Sequence, residues 1–389
     1  MEVLRGIAVT AIVLHHWFLF MLPPIPNSRF SSLEEFSQEV AGTFVHLFFV
    51  LSGCGLTISY FKHGHASWGE WARSRFRKIV PPYWIIVTLT FLSANLLHSL
   101  DSTTFRHGYS WMTLLNYLAF TRNFYTPGWN LNSSLWFMPV IVGLYVLFPV
   151  LIKLLQRCGP VVLMLVSFIL TYASITVGVF RGYSMSHQAA IPFFHLVEFS
   201  FGMLVGYWFC FSRTRFQLFF STRFLLIGLL VYCISWAMIS FWTLGDDYND
   251  LFNAVAVFAF GMQVCRWLDR FSLNKLTEFL NGASKVSYVA YLIHLPLLVY
   301  VIKPLLLDTK QVDLTPFLLL LLGIVYIGFV FTSAGMITRG VSTMRAGGFA
   351  SLEVRGWSNC VDCQVVCSHR GCHGVRVFAM ALSMVRSFR

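Results

Sequence analysis

Long apolar stretches alternate with short polar ones along this chain. Runs of about 20 apolar residues are long enough, as helices, to cross the ~30 Å hydrocarbon core of a bilayer. Such runs fall at roughly 3–22, 40–61, 79–99, 134–155, 160–180, 191–211, 224–243, 250–267, 284–306 and 315–335. A membrane barrel would need segments of about 10 residues alternating with period two, and these runs are longer and unbroken. The pattern predicts an all-α, polytopic membrane helix bundle of about ten transmembrane helices.

The polar stretches between the runs give the orientation. One set of alternating loops, with Arg5 and the start of the ninth run, carries fifteen Lys and Arg residues; the opposite set carries Arg29, Arg106, Arg122, Arg181, Lys303 and Lys310. Cation-rich short loops stay on the cytoplasmic side, so the N-terminus is expected in the cytoplasm. The outer stretch Gly245–Asp250 is acidic, in keeping with that assignment. Lacking a small-residue cleavage site, the first run reads as a true span rather than a cleaved leader.

Composition strengthens this picture. Of 389 residues, 57% are hydrophobic and 11% charged, and the mean hydropathy is +0.69. The net charge of +12 is spread over inter-helix loops instead of one soluble face, which excludes a nucleic-acid partner. Residues 1–335 read as one transmembrane domain and 336–389 as an atypical, poorly ordered cytoplasmic tail. Cys54, Cys158, Cys210, Cys233 and Cys265 read as inert packing residues. Cys360, Cys363, Cys367 and Cys372 crowd the tail with His369 and His373, a density that zinc sites share. Their spacing fits no regular zinc finger, so no metal site is assigned and the tail reads as a disordered or frame-shifted end.

Ionisable groups inside spans are costly and mark function by default. Arg5 and His16 are eleven residues apart on the first span, which puts them on one helical face over about 16 Å. His15 is rotated about 100° from that face. His46, His195, Glu198 and His294 lie at a depth similar to His16 if the topology holds. His195 and Glu198, three apart, share a face and form either a proton relay or a structural ion pair. Tyr288, Tyr291 and His294 follow helical spacing, with packing and hydrogen bonding as their simplest role. Arg73, Arg75, Arg77 and Lys78 precede the third span. They either grip a phosphorylated cosubstrate or anchor the loop at anionic headgroups. The outer loop at about 100–133, with an aromatic stretch around Trp111–Phe120 and a turn at Pro127–Gly128, either folds over an outward cavity or is an ordinary interfacial loop.

Several of these segments together resemble the membrane acyltransferase-3 family of O-acyltransferases. They are Leu4–Ala8 running to His16, Leu47–Gly53, Arg75–Trp84, Leu135–Phe137 with Leu144–Pro149, and Ser287–Pro296, in the family's order over about residues 3–335. The resemblance implies transfer of an acyl group, often acetyl, from cytoplasmic acyl-CoA to a hydroxyl of a glycan, lipid or other cell-surface acceptor. It implies His16 as the catalytic histidine with Arg5 its partner, and Arg75, Arg77 and Lys78 on the phosphates of CoA. Glu198, His195 and His294 are secondary candidates. Acyl-CoA would be a cosubstrate, with no bound cofactor, and the setting an inner or plasma membrane. The family's paired arginines read here as Arg75 and Lys78; lysine keeps the charge and loses the bidentate fork. Competing expectations are a transporter using the intramembrane His and Glu residues, or an inactive relative.

Overall fold

The computed structural model describes residues 1–21, 42–64, 67–105, 107–125, 131–181, 190–242, 244–307 and 316–348. Arg29, Arg106, Lys310, the Pro127–Gly128 turn and the whole Cys/His cluster from Cys360 to His373 lie outside the described residues, as do the side chains of Asp246 and Asp247. Among the described residues the secondary structure is helical and contains no strand.

Ten α-helices carry the architecture: α1 (Glu2–Met21), α2 (Phe44–His63), α3 (Trp68–Leu100), α4 (Trp111–Leu118), α5 (Phe137–Phe180), α6 (Leu196–Phe211), α7 (Thr222–Phe241), α8 (Asp250–Arg270), α9 (Asn274–Leu297) and α10 (Pro316–Gly348). Nine helices among the described residues are long and apolar enough to cross a membrane, all but the short α4. One of them, α5, is two spans. Its helical path breaks at Gly159, whose φ of 81° and ψ of 173° are ones that side-chain-bearing residues avoid. Pro160 then opens the second arm with its φ already helical. The chain turns back there. Phe148 packs 6.3 Å from Phe199, while Ser167 bonds Ser200 at 2.7 Å. A straight helix would hold residues 148 and 167 about 28 Å apart. Counting α5 twice gives the ten crossings that the apolar runs predict.

Two helices begin earlier than their apolar runs. Ser67 caps α3 by accepting the Glu70 N–H at 3.1 Å, so the helix starts at Trp68 and not near 79. The cations Arg73–Lys78 therefore stand on a helix rather than in a loop. Likewise α9 starts at Asn274, ten residues before its predicted span. It continues past Pro296 into a wide π-type turn at Leu298–Ile302, as expected where proline removes a ladder donor.

The larger apolar core runs through α1, α3, both arms of α5, α9 and α10; a smaller one joins α1, α2, α6 and α8. By contrast α7 is peripheral, with Leu226, Leu229, Leu230 and Trp236 all exposed as lipid-facing positions would be. The five cysteines within the described residues are free thiols. Cys54 is buried as expected, but Cys158 and Cys233 are exposed and are not packing residues. Arg122 also departs from expectation. It is fully buried rather than a solvated loop cation, with its guanidinium over the Tyr117 ring at 5.5 Å and bonded to Asn123 at 3.1 Å. Asn123 in turn donates to the carbonyls of Trp136 and Ala190, which ties the outer loop to the bundle.

Candidate functional site

Two close helix contacts bring polar residues of separate spans together. Along α2 and α6, a Cβ on Gly53 would fall 2.0 Å from the Phe199 carbonyl oxygen, and one on Gly202 would fall 2.0 Å from that of Val50. Only glycine admits such backbone approach, as in small-residue seams between membrane helices. His46 lies two turns before Gly53, and Glu198 one turn before Gly202. The seam thus sets them face to face, and His46 Nδ1 meets Glu198 Oε2 at 2.9 Å. Along α1 and α9, a Cβ on Gly6 would fall 2.1 Å from the Leu280 carbonyl oxygen. Some three to four turns further along this parallel pair, His294 Nε2 stands 3.4 Å from His16 Nδ1, with ring centroids 4.8 Å apart.

With both rings neutral, the hydrogen bonds assign where the protons sit. His294 Nδ1 lies 2.6 Å from the Tyr291 carbonyl, which only accepts, so Nδ1 carries the hydrogen and Nε2 a lone pair. His16 Nδ1 lies 3.0 Å from the Ile12 carbonyl, so it too carries the hydrogen, and it faces the His294 lone pair as well. The nitrogen left with a lone pair on His16 is Nε2, the form a general base requires. Around this pair, the Tyr326 hydroxyl donates to the His294 carbonyl and the Tyr291 hydroxyl to the Ser134 carbonyl. The Trp17 indole donates to the Leu319 carbonyl at 3.0 Å. These bonds lock α1, α9 and α10 around the two imidazoles.

The half-buried His16 lines a cavity of about 570 Å³ with His15, His46, Trp136, Asp250 and Tyr291. Every one of these sits toward the outer end of its span in the charge-derived topology. His15, expected on another face, shares this wall, because the cavity spans the arc from Ile12 to Leu19. Arg5 does not reach it. The wall begins at Ile12, two turns above Arg5 on the same helix. A second outward cavity, of about 540 Å³, adjoins through Phe20, which stacks on His16. Its lining includes Thr104, His107 and Tyr109 from the outer loop and Tyr300 and Lys303 beyond α9. Of the two readings of that loop, the described part lines an outward cavity.

His195 and Glu198 do pair, at 2.7 Å, yet not along a regular helical face. His195 ends a 3₁₀ turn, Pro192–His195, and α6 begins just after it. The pair belongs to a ring of four that includes His46 and Asp250. Asp250 was not anticipated as a site residue. Its signal was its place at the outer start of α8, level with His46 and Glu198.

At the opposite end of the bundle, cytoplasmic in the charge-derived topology, Arg73 and Arg75 line a groove of about 640 Å³ with Trp68, Trp71, Tyr145 and Pro149. Arg75 is half-buried there, whereas Arg77 and Lys78 are exposed and are not part of the groove lining. The predicted trio is thus divided, and Arg73 joins Arg75 in its place.

A polytopic helical membrane protein with a histidine-lined cavity toward one end of its bundle and a cationic groove toward the other is the class that fold and site define. The family model described as an acyltransferase domain matches residues 1–333, and the chain belongs to the acyltransferase-3 family. No curated protein and no solved structure matches it. The chain is accordingly a multi-pass membrane protein of an acyltransferase family.

Proposed function

We propose that this protein transfers an acyl group, acetyl being the commonest in such chemistry, from cytoplasmic acyl-CoA to a hydroxyl of a cell-surface glycan or lipid, in the plasma (inner) membrane. The observation that carries this reading is the state of His16: Nδ1–H held by the Ile12 carbonyl, Nε2 left basic, and the ring in the wall of a polar cavity. In the proposed step His16 Nε2 takes the acceptor's hydroxyl proton as its oxygen attacks the thioester carbonyl. A C–O bond forms, the C–S bond breaks, and the proton passes to the departing thiolate. Such proton transfer contributes about 10²–10⁴-fold, and co-binding of the two reactants supplies much of the remainder.

The groove at Arg73 and Arg75 suits the anionic end of a CoA ester, with apolar walls for its arm. The two cavities flanking His16 and Phe20 suit an acceptor arriving from outside, since their aromatic and hydroxyl linings resemble those that hold sugars. Groove and cavities lie at opposite ends of the bundle. In this reading the acyl group crosses the membrane from donor side to acceptor side.

The test is transfer from radiolabelled acetyl-CoA in membranes expressing the full chain, with His16→Ala as control at matched protein level. Label entering a lipid or glycan fraction only with His16 present is the expected result. Equal labelling with and without His16 overturns its role. Product protected from a membrane-impermeant deacylating enzyme added outside sealed cells overturns the crossing.

A further inference from the structure

His46, His195, Glu198 and Asp250 form a closed ring in which each imidazole lies between two carboxylates. One ligand atom from each lies within 4.8 Å of all the others. The first three are buried, and the Asp250 side chain is 17% exposed. Two edges of the ring, His46–Glu198 at 2.9 Å and His195–Glu198 at 2.7 Å, are hydrogen-bond distances. The other two, His46–Asp250 at 3.6 Å and His195–Asp250 at 3.4 Å, exceed the ~2.7–3.2 Å of N–H···O bonds. Ligand atoms about 2.0–2.1 Å from a tetrahedral ion stand roughly 3.3–3.4 Å apart, so the two longer edges have about the spacing of a coordination shell, and the His195–Glu198 edge would widen from 2.7 Å on binding. With both imidazoles neutral, as metal ligands must be, the two carboxylates give the ring a charge of minus two, which a divalent cation cancels in a setting where uncompensated charge is costly.

We propose that these four side chains bind one divalent transition-metal ion, Zn²⁺ by the fit of two nitrogen and two oxygen donors, as a structural clamp. Four protein ligands leave no open coordination position, which is the mark of a structural site. The ion joins α2, α6 and α8 at their outer ends and sets one wall of the cavity that holds His16. Ligand orientation is already in place. His195 stacks on Phe49 at 4.6 Å between centroids and lies 5.5 Å from the Trp136 ring. With Nδ1–H bonded to Glu198, a neutral His46 offers Nε2, the nitrogen facing Asp250, as its ligand atom. Residue types alone assigned no metal, because the four ligands come from three distant segments of sequence.

The proposal does not depend on acyl transfer, and its test does not read activity. Detergent-purified full chain, expressed in zinc-supplemented medium, is assayed for zinc by mass spectrometry beside two variants. One is Asp250→Asn. The other replaces the four tail cysteines, Cys360, Cys363, Cys367 and Cys372, by Ser. Wild type and the tail variant are expected to share one equivalent that Asp250→Asn loses. Chelation should lower the unfolding midpoint of the wild type, and added Zn²⁺ but not Mg²⁺ should restore it. Zinc that vanishes with the tail cysteines and persists in Asp250→Asn overturns the site. So does a wild-type midpoint indifferent to both chelator and Zn²⁺.

Discussion

His294 touches His16 and lines neither outward cavity, so its removal separates positioning from direct chemistry. Its Nε2 lone pair helps hold His16 in the Nδ1–H form. His294→Ala is expected to lower kcat about tenfold while leaving the KM for acetyl-CoA unchanged; the His294→Gln variant, whose amide oxygen also accepts, should recover part of the loss. His16→Ala should cost the ~10²–10⁴-fold of a lost general base. Steady-state kinetics on both variants check this, and a KM effect without a kcat effect would remove His294 from the positioning role. At the other end, Arg75→Ala is expected to raise the KM for acetyl-CoA more than Arg77→Ala does, because Arg75 lines the groove and Arg77 does not. Equal effects would return the exposed cations to the binding role that the family resemblance implies. His16 could be found from its place on an apolar helix, since a histidine there is conspicuous by its cost. The burial of Arg122 could not, since nothing in a loop's composition shows that Tyr117 and Asn123 will enclose a guanidinium.

Among the helices, glycines decide which faces meet. Gly53 and Gly202 let α2 and α6 touch backbone to backbone, and Gly6 does the same for α1 against α9. Gly202→Val would drive side-chain atoms into the Val50 carbonyl. Overpacking of this kind costs about 1–3 kcal/mol or more. The expected readout is a lower unfolding midpoint in detergent, together with reduced protein in the membrane. Gly55, whose Cβ would meet nothing within 4 Å, is the matched control and should tolerate Ala. Helix existence was legible from apolar run length because the bilayer imposes that length. Helix rotation was not, since it depends on these seams, and so the pairing of His46 with Glu198 and Asp250 emerged only in three dimensions.

Taken as a molecule, the protein gathers cations at one end of its bundle and its histidine cluster toward the other. Native thiols can test that polarity. Cys158 is exposed in the turn between the arms of α5, on the predicted cytoplasmic side. A membrane-impermeant maleimide should label it in inside-out vesicles and spare it in intact cells. Labelling from outside would invert the topology and with it the direction of transfer. Depth, too, was legible at this scale: His16, His46, His195, Glu198 and His294 were placed at one level from span order alone, and the contacts among them agree with it.

The turn at Gly159–Pro160 also bears on how the protein is made. With Lys153 and Arg157 just before it, the first arm of α5 ends in charges that resist passage across the bilayer. The second arm follows with almost no connecting chain. Neither arm has slack to wait in water for the other, so the two must partition from the insertion machinery into lipid as one hairpin. Lengthening this turn with a flexible insert would therefore uncouple a step of biogenesis while leaving every side chain of the mature site in place.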